Sequence, residues 1–341
     1  MVQSKRKGQQ SIAFQKPPYL IGWSSVAGKK EGEGPLGKYF DYIDNDPTVG
    51  TDSWEAAESN MQRLAAEMAI DRAGLKPEDM NYIIAGDLLG QLIATSFGIM
   101  SLDIPMFGVY GACSTMGESM ALGAMLVEGG YADKLVALTS SHFASAEKQF
   151  RFPLGYGNQR PLSSTWTVTG SGAVVIGREK GKFNIRITGI TTGKIRDYGV
   201  KDSMNMGACM APAAADVIYQ NLEDFGVEAD YYDRIITGDL GYIGKDILGD
   251  MMEAKGHDIR AVHMDCGVEI YDKENQDTHA GGSGCACSAI TLTGLVTKKM
   301  QAGEWKRVLF VPTGALLSPT SFNEGNSVPG IAHGVMLEVI D

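Results

Sequence analysis

The segment Ala85-Gly86-Asp87-Leu88-Leu89-Gly90 returns as Thr237-Gly238-Asp239-Leu240-Gly241-Tyr242, each copy behind a short apolar run, Tyr82-Ile83-Ile84 and Arg234-Ile235-Ile236. Compact runs of this kind form buried parallel strands. Downstream each copy reaches Ala-Cys-Ser, at Ala112-Cys113-Ser114 and at Ala286-Cys287-Ser288. A second strand-like run follows, Lys134 to Leu138 and Arg307 to Val311. Gly129-Gly130 and Gly303 end the helices between. A chain that repeats strand, helix and strand at matched spacing builds one architecture twice. The copies differ upstream of the cysteines, where Asp87 to Cys113 is 26 residues and Asp239 to Cys287 is 48. The extra residues of the second half are placed around Cys266 to His279.

Charge patterning sorts the helices into layers. From Cys113 to Val127 only Glu118 is charged, and Gly281 to Thr297 carries no charge, whereas a surface helix shows a polar face. Both are expected to be buried on all sides. Trp54 to Ala73 mixes Glu55, Glu58, Arg63, Glu67, Asp71 and Arg72 with apolar positions, and Asp246 to Lys255 is similarly mixed, so these two are expected to face solvent. Interior helices between sheets, with amphipathic helices outside, predict an α/β/α/β/α body of five layers. Its parts are a flexible tail over 1–15, one half over 16–180 and a similar half over 181–341, meeting near Lys180-Gly181-Lys182.

The chain has 341 residues, 44% of them apolar, enough for a large core. No run reaches the roughly 18 apolar residues of a membrane span, and Met1 to Gln10 lacks the apolar centre of a signal peptide. A soluble chain is expected. A net charge of −11 and a pI near 5.0 argue against a nucleic-acid surface. The five cysteines read as reduced thiols, and Cys285-Ala286-Cys287 is too tight a spacing for a metal site. No metal site and no cofactor of the protein's own are expected.

Gly111-Ala112-Cys113-Ser114-Thr115 puts a thiol at the first turn of an interior helix, where unpaired N–H groups and the helix dipole favour a thiolate or a bound anion. Most free cysteines are simply small buried residues, and both readings stand on this motif alone. The same holds for Asp87 and Asp239. They follow strand ends, where α/β proteins put functional side chains, and an Asp there also caps the next helix. His142, His263 and His279 read as hydrogen-bonded structural residues, and Gly170-Ser171-Gly172 as a turn into a strand, not a nucleotide loop.

Taken together, the duplicated half, the interior helix opening on Cys113 and the glycine-rich Ala332-His333-Gly334-Val335 resemble the thiolase and ketoacyl synthase superfamily. That resemblance implies that Cys113 occupies the position of the acyl-accepting nucleophile. Condensing enzymes of the ketoacyl synthase III type place a histidine after the strand matching Arg234 to Thr237. Here Gly238-Asp239-Leu240 puts an acid there. They place an asparagine or histidine before the second interior helix, where this chain has Gly281-Gly282-Ser283-Gly284, and His279 lies about two residues too early. Thiolases close the site with a second cysteine in a C-terminal loop, where the nearest match is His333.

A narrower resemblance spans nearly the whole chain. Lys30 to Gly37, Ala85 to Leu89, Phe107 to Thr115, Thr139 to His142, Gln149 to Pro153, Ala211 to Asp216, Ala280 to Ser288 and Thr313 to Pro319 resemble the stage V sporulation protein AD family. Membership implies a thiolase-like pseudoenzyme of spore formers that binds dipicolinic acid, with calcium as part of the bound chelate. It would work in sporulation and spore germination, with other membrane proteins of the stage V sporulation A operon. A peripheral place on the forespore or spore inner membrane is implied, as is a homodimer pairing through Met106 to Tyr110. Dipicolinate is a flat pyridine with two carboxylates, so a pocket for it needs forked cations and an aromatic face. The expected ligand contacts are Cys113, Arg151, Phe152, Arg160 and His333. Two alternatives stay open: an acyltransferase using Cys113, and a structural scaffold of the uptake complex.

Overall fold

The computed structural model describes residues 5–150 and 159–340. Ten strands carry the duplication. The first half contains β1 (Tyr19–Gly28), β2 (Tyr82–Asp87), β3 (Met106–Gly108), β4 (Lys134–Ser141) and β5 (Gly170–Gly177). The second contains β6 (Ile185–Thr191), β7 (Arg234–Thr237), β8 (His263–Asp265), β9 (Arg307–Val311) and β10 (Gly334–Val339). Strand order is β1-β5-β4-β2-β3 in one half and β6-β10-β9-β7-β8 in the other. Every strand of the first half therefore has its counterpart five numbers later. The sheets join at one corner, where Tyr19 and Leu20 pair with Arg186 and Ile185.

Helices repeat in the same way: α1 (Trp54–Arg72), α2 (Ile93–Ile99) and α3 (Thr115–Gly129), then α4 (Met206–Phe225), α5 (Gly241–Ala254) and α6 (Cys285–Thr291). Alternation along the strands sorts the core into layers. Ile84, Leu135, Ala137, Val174 and Ile176 point inward onto α3 and α6, together with Ile236, Val308, Phe310 and Val335 from the other sheet. The residues between them, such as Ile83, Val136, Leu138 and Val175, pack outward under α1, and Ile235, Leu309 and Val311 under α4. Side chains alternate across a strand, so a nearly continuous apolar run serves two cores at once. The five-layer α/β/α/β/α architecture is the result.

Three expectations are corrected. The supposed flexible tail is ordered over its described part. Arg6–Lys7 pairs with Ser11–Ala13, which pairs with β6, and the N–H groups of Gln9, Gln10 and Ser11 donate to the Asp224 carboxylate over 2.8, 2.9 and 3.0 Å. α3 is not buried all round. Leu122 and Met125 are 39% and 41% exposed. Nor does every charge on α1 face water.

Glu58 is 1% exposed and accepts a hydrogen bond of 2.7 Å from Ser140 Oγ–H. Burial, then the charge of Asp87, pushes its pKa up to about 8. The folded state thus holds a proton on Glu58 that the unfolded chain loses near the ordinary 4.5. That contribution is fully present below the unfolded value and is lost as pH rises through about 8. Glu58→Gln keeps an acceptor for Ser140 without the charge. It is expected to melt several degrees above wild type at about pH 8.5 and near wild type at about pH 4.5. A gap in melting temperature that does not change with pH, read by calorimetry, would contradict this.

Candidate functional site

Both interior helices begin at the centre of the molecule, and their leading loops meet there. Ala112 takes a left-handed φ of 50°, which turns the chain sharply ahead of α3. Thr115 Oγ1–H donates to Ala112 O over 2.6 Å and Ser114 Oγ–H to Gly111 O over 2.7 Å, holding the corner. α3 starts at Thr115, so Cys113 precedes the first turn and does not sit within it. From the second half, Cys285 Sγ–H donates to Ala112 O over 2.9 Å.

The thiol of Cys113 faces second-half groups. Its Sγ lies 3.9 Å from Ser283 Oγ, which donates to Asp239 Oδ2 over 2.7 Å. Gly284 N–H donates to the same oxygen over 3.0 Å, and Thr313 Oγ1–H to Asp239 Oδ1 over 2.7 Å. Asp239 is 1% exposed, and burial raises its pKa despite these donors. Burial also pushes the Cys113 thiol well above its ordinary value, with the Asp239 carboxylate adding to the shift. The electrostatics therefore oppose the thiolate that a helix start alone would favour. Leu88, Ala146, Cys285 and Phe150 pack around the sulfur, leaving Cys113 4% exposed.

The paired aspartates have parted company. Asp87 accepts from Thr95 N–H (2.9 Å), Thr95 Oγ1–H (2.7 Å) and Leu89 N–H (3.0 Å), which caps α2. In the second half Asp265 takes that task, accepting from Leu240 and Gly241 N–H over 2.9 and 3.0 Å. Asp239 is thereby released to face the thiol.

Of the expected ligand contacts, Arg151 and Phe152 lie outside the described residues. Arg160 is described, with its side chain 8% exposed, and its Nη2 donates to Asp277 Oδ2 over 2.8 Å. The guanidinium carbon is 4.9 Å from the centroid of Trp166. His333 Nδ1 accepts from Gly193 N–H over 3.4 Å, and burial lowers its pKa to about 4, so the ring is neutral. The other histidines have structural bonds. His142 Nδ1 accepts from Ala144 N–H, which leaves Nε2–H to donate to Pro47 O over 2.8 Å. His263 Nε2 meets Thr237 Oγ1 at 2.9 Å, and His279 Nδ1 meets Pro161 O at 2.9 Å. Among the described residues no group of three or more His, Cys, Asp or Glu is placed to hold a metal ion.

The second-half insertion docks on the short helical turn Lys29–Gly32. Tyr271 O–H donates to buried Glu31, Thr169 N–H donates to the same carboxylate over 3.0 Å, and Gln276 Nε2–H donates to Lys30 O over 2.7 Å. Beside this junction opens a cavity of about 430 Å³, lined in part by Lys30, Asp46, Trp54, His142, Phe143 and Trp166. Sequence reasoning passed over Lys30, Trp166, Ser283 and Thr313 as single residues. It read Asp239 mainly as a helix cap. The usable signal was the acid standing where a base is expected.

A family model described as stage V sporulation protein AD matches residues 8–338. The stage V sporulation protein AD of Bacillus subtilis (strain 168) is 43% identical over 334 residues, covering 98% of each chain. Among solved structures, 3-oxoacyl-[acyl-carrier-protein] synthase III from Aquifex aeolicus VF5 superposes with a TM-score of 0.56. It is 14% identical, over 94% of this chain and 99% of that one. An OleA variant from Xanthomonas campestris reaches 0.58 at 15% identity, over 96% and 99%. At such identities these structures establish the fold alone.

The thiol electrostatics make a direct prediction. Alkylation of Cys113, followed peptide by peptide by mass spectrometry, is expected to keep accelerating beyond pH 9.0, the ordinary thiol value. Asp239→Asn removes the opposing carboxylate and should speed it at every pH where that carboxyl is ionised. A wild-type rate that levels off near neutrality would contradict this.

Proposed function

This chain belongs to the stage V sporulation protein AD family, and on that premise we propose that it binds dipicolinic acid, free or as its calcium chelate, without transforming it. Family membership carries a role in sporulation. The observation that most favours binding over catalysis is the group in front of Cys113, where Asp239 and Ser283 stand in place of a base. Acyl transfer through a cysteine needs a thiolate or a base to make one, and condensation needs a proton acceptor. A carboxyl whose pKa is raised by burial, set against a thiol whose pKa it raises further, supports retention of the proton on sulfur.

The same reading extends to partners. No helix among the described residues is long and apolar enough to cross a membrane, so attachment to the forespore or spore inner membrane would run through other proteins of the stage V sporulation A operon. A homodimer is supported by the outer edge of β3, which among the described residues pairs only with β2. Met106 and Phe107 on that edge are 40% and 52% exposed, and Phe97 and Met100 nearby in sequence are 62% and 68%. An open edge rimmed by large apolar side chains calls for a covering partner.

Two experiments test this reading. After incubation with labelled acyl-coenzyme A, mass spectrometry should find no stoichiometric thioester on Cys113, while calorimetry should detect uptake of dipicolinate. An adduct that turns over would favour the acyltransferase, and absence of heat would favour the scaffold. Phe107→Asp, which places a charge in the proposed seam, should convert the dimer to monomer in light scattering. A wild-type monomer would remove the dimer from the proposal.

A further inference from the structure

A row of cations crosses the end of the molecule where the parallel strands start. Ladder partners place it residue by residue: Lys134 pairs with Gly177, Gly177 with Tyr19, Tyr19 with Arg186, Arg186 with Glu338 and Glu338 with Arg307. Side chains paired across a ladder share a face of the sheet, so Lys134, Arg186 and Arg307 stand in one line with Tyr19 and Glu338. The line crosses β4, β5, β1, β6, β10 and β9, about 24 Å at about 4.8 Å per strand. The connection leaving β5 adds Arg178, Lys180 and Lys182, all exposed. Lys134 and Arg307 open β4 and β9, whereas Cys113 and Asp239 follow the far ends of β3 and β7, so the row lies opposite the thiol.

These cations are braced without being neutralised. The guanidinium carbon of Arg186 is 4.6 Å from the centroid of Tyr19 and that of Arg307 4.4 Å from Tyr231, and Lys182 Nζ is 5.6 Å from Phe183. A ring face holds a cation and leaves its charge in place. The neighbouring acids are already engaged. Asp133 is 3.2 Å from Arg178, Glu304 is 2.6 Å from Lys299, and Asp233 accepts from the N–H groups of Lys306 and Arg307 over 2.6 and 2.8 Å. Glu338 has an arginine on either side in register, and Glu179 is the one acid among Arg178, Lys180 and Lys182. Arg186 Nε is buried with no hydrogen-bond partner among the described residues. A guanidinium N–H left in that state favours an incoming anion.

We propose that this end of the molecule rests on an anionic lipid surface, with Lys180, Lys182 and Arg186 toward the headgroup phosphates and Tyr19 and Phe183 beside them. Lysine and arginine next to aromatic rings suit the headgroup level of a bilayer. The spread of the row favours lipid over an acidic peptide. Cations dispersed over about 24 Å address many headgroups, whereas a single carboxylate is held by donors that converge. The net charge of −11 does not oppose this strongly, because exposed charges farther off than about 8 Å are screened at physiological salt. The array is built on strand ends, so no basic amphipathic helix announces it in the sequence. It goes beyond the dipicolinate reading and does not depend on it, and it adds a direct lipid contact to attachment through other proteins. Docked in this way, the thiol end faces away from the bilayer. β3 lies two strands beyond β4, so the proposed dimer seam stays clear of the row.

Flotation of the full chain with vesicles of phosphatidylglycerol or of phosphatidylcholine tests the proposal. Wild type should float with the first and not with the second, and less as salt rises. A basic residue close to an anionic surface strengthens binding about fivefold, so Lys180→Glu with Lys182→Glu should bind at least about thirtyfold more weakly. Lys201→Glu with Lys273→Glu makes the same change in net charge at exposed positions of the thiol end and should float like wild type, once melting curves show both variants folded. Wild type that ignores phosphatidylglycerol, or floats equally with phosphatidylcholine, overturns the proposal, as do two variants that float alike. Should wild type ignore vesicles yet be held on polyglutamate through Lys180 and Lys182, the occupant is an acidic protein segment and the lipid surface is rejected. Calorimetry with dipicolinate on Lys180→Glu with Lys182→Glu should match wild type, so loss of lipid binding and loss of dipicolinate binding are read separately.

Discussion

Two apolar helices buried between two sheets set the terms for the whole molecule. α3 and α6 present methionine, alanine and isoleucine to the inner faces of both sheets, and neither half alone could cover those faces. The helices are held where they begin as well as along their length. Cys285 Sγ–H bonds Ala112 O, and Ala286 N–H bonds Ser141 Oγ over 3.0 Å, so the loop ahead of each helix is anchored on the other half. The cluster of side chains at that junction is necessarily composite. Its sulfur comes from the first half, and Asp239, Ser283 and Thr313 come from the second.

Duplication would ordinarily give equivalent residues equivalent work, and the two aspartates show how that symmetry is broken. Asp87 caps the helix after β2 through Thr95 and Leu89. The strand β8 and the insertion behind it bring Asp265 under the start of α5, where its carboxylate takes the N–H groups of Leu240 and Gly241. With its capping role filled, Asp239 turns toward Ser283, Gly284 and Thr313. The insertion that lengthens the second half also docks on Lys29–Gly32 through Tyr271 and Gln276. One added segment thus bears on the surroundings of the thiol and on the cavity beside Lys29–Gly32.

The layers were legible because they rest on local signals. Strand runs such as Tyr82 to Ile84 are apolar at every position, which only a strand buried on both faces tolerates, and the uncharged Gly281 to Thr297 has nowhere to go except the interior. Glu58 escaped notice because a helical charge reads as solvent-facing unless its partner is known, and its partner Ser140 lies on a strand far along the chain. The N-terminal hairpin was missed for a similar reason. Lys5-Arg6-Lys7 looks like a solvated tail, while the Asp224 carboxylate that fastens the following turn is more than 200 residues away. Site residues divide along the same line. Cys113 is visible in its motif, but the group facing it is assembled from Asp239, Ser283 and Thr313, whose convergence is a property of the fold.

Electrostatics at the junction of the helix starts turn on one buried acid, Asp239. Two like charges about 4 Å apart repel by roughly 4 kcal/mol at the effective dielectric of a protein surface, and more strongly as water is excluded. A dicarboxylate beside Asp239 would meet that repulsion unless the aspartate kept its proton, and burial, with the same acid adding to it, keeps the Cys113 thiol neutral. An ionised Asp239 therefore works against both a thiolate and a neighbouring anion. Charge at the junction of the two helix starts is thereby governed by whether the buried Asp239 carries its proton.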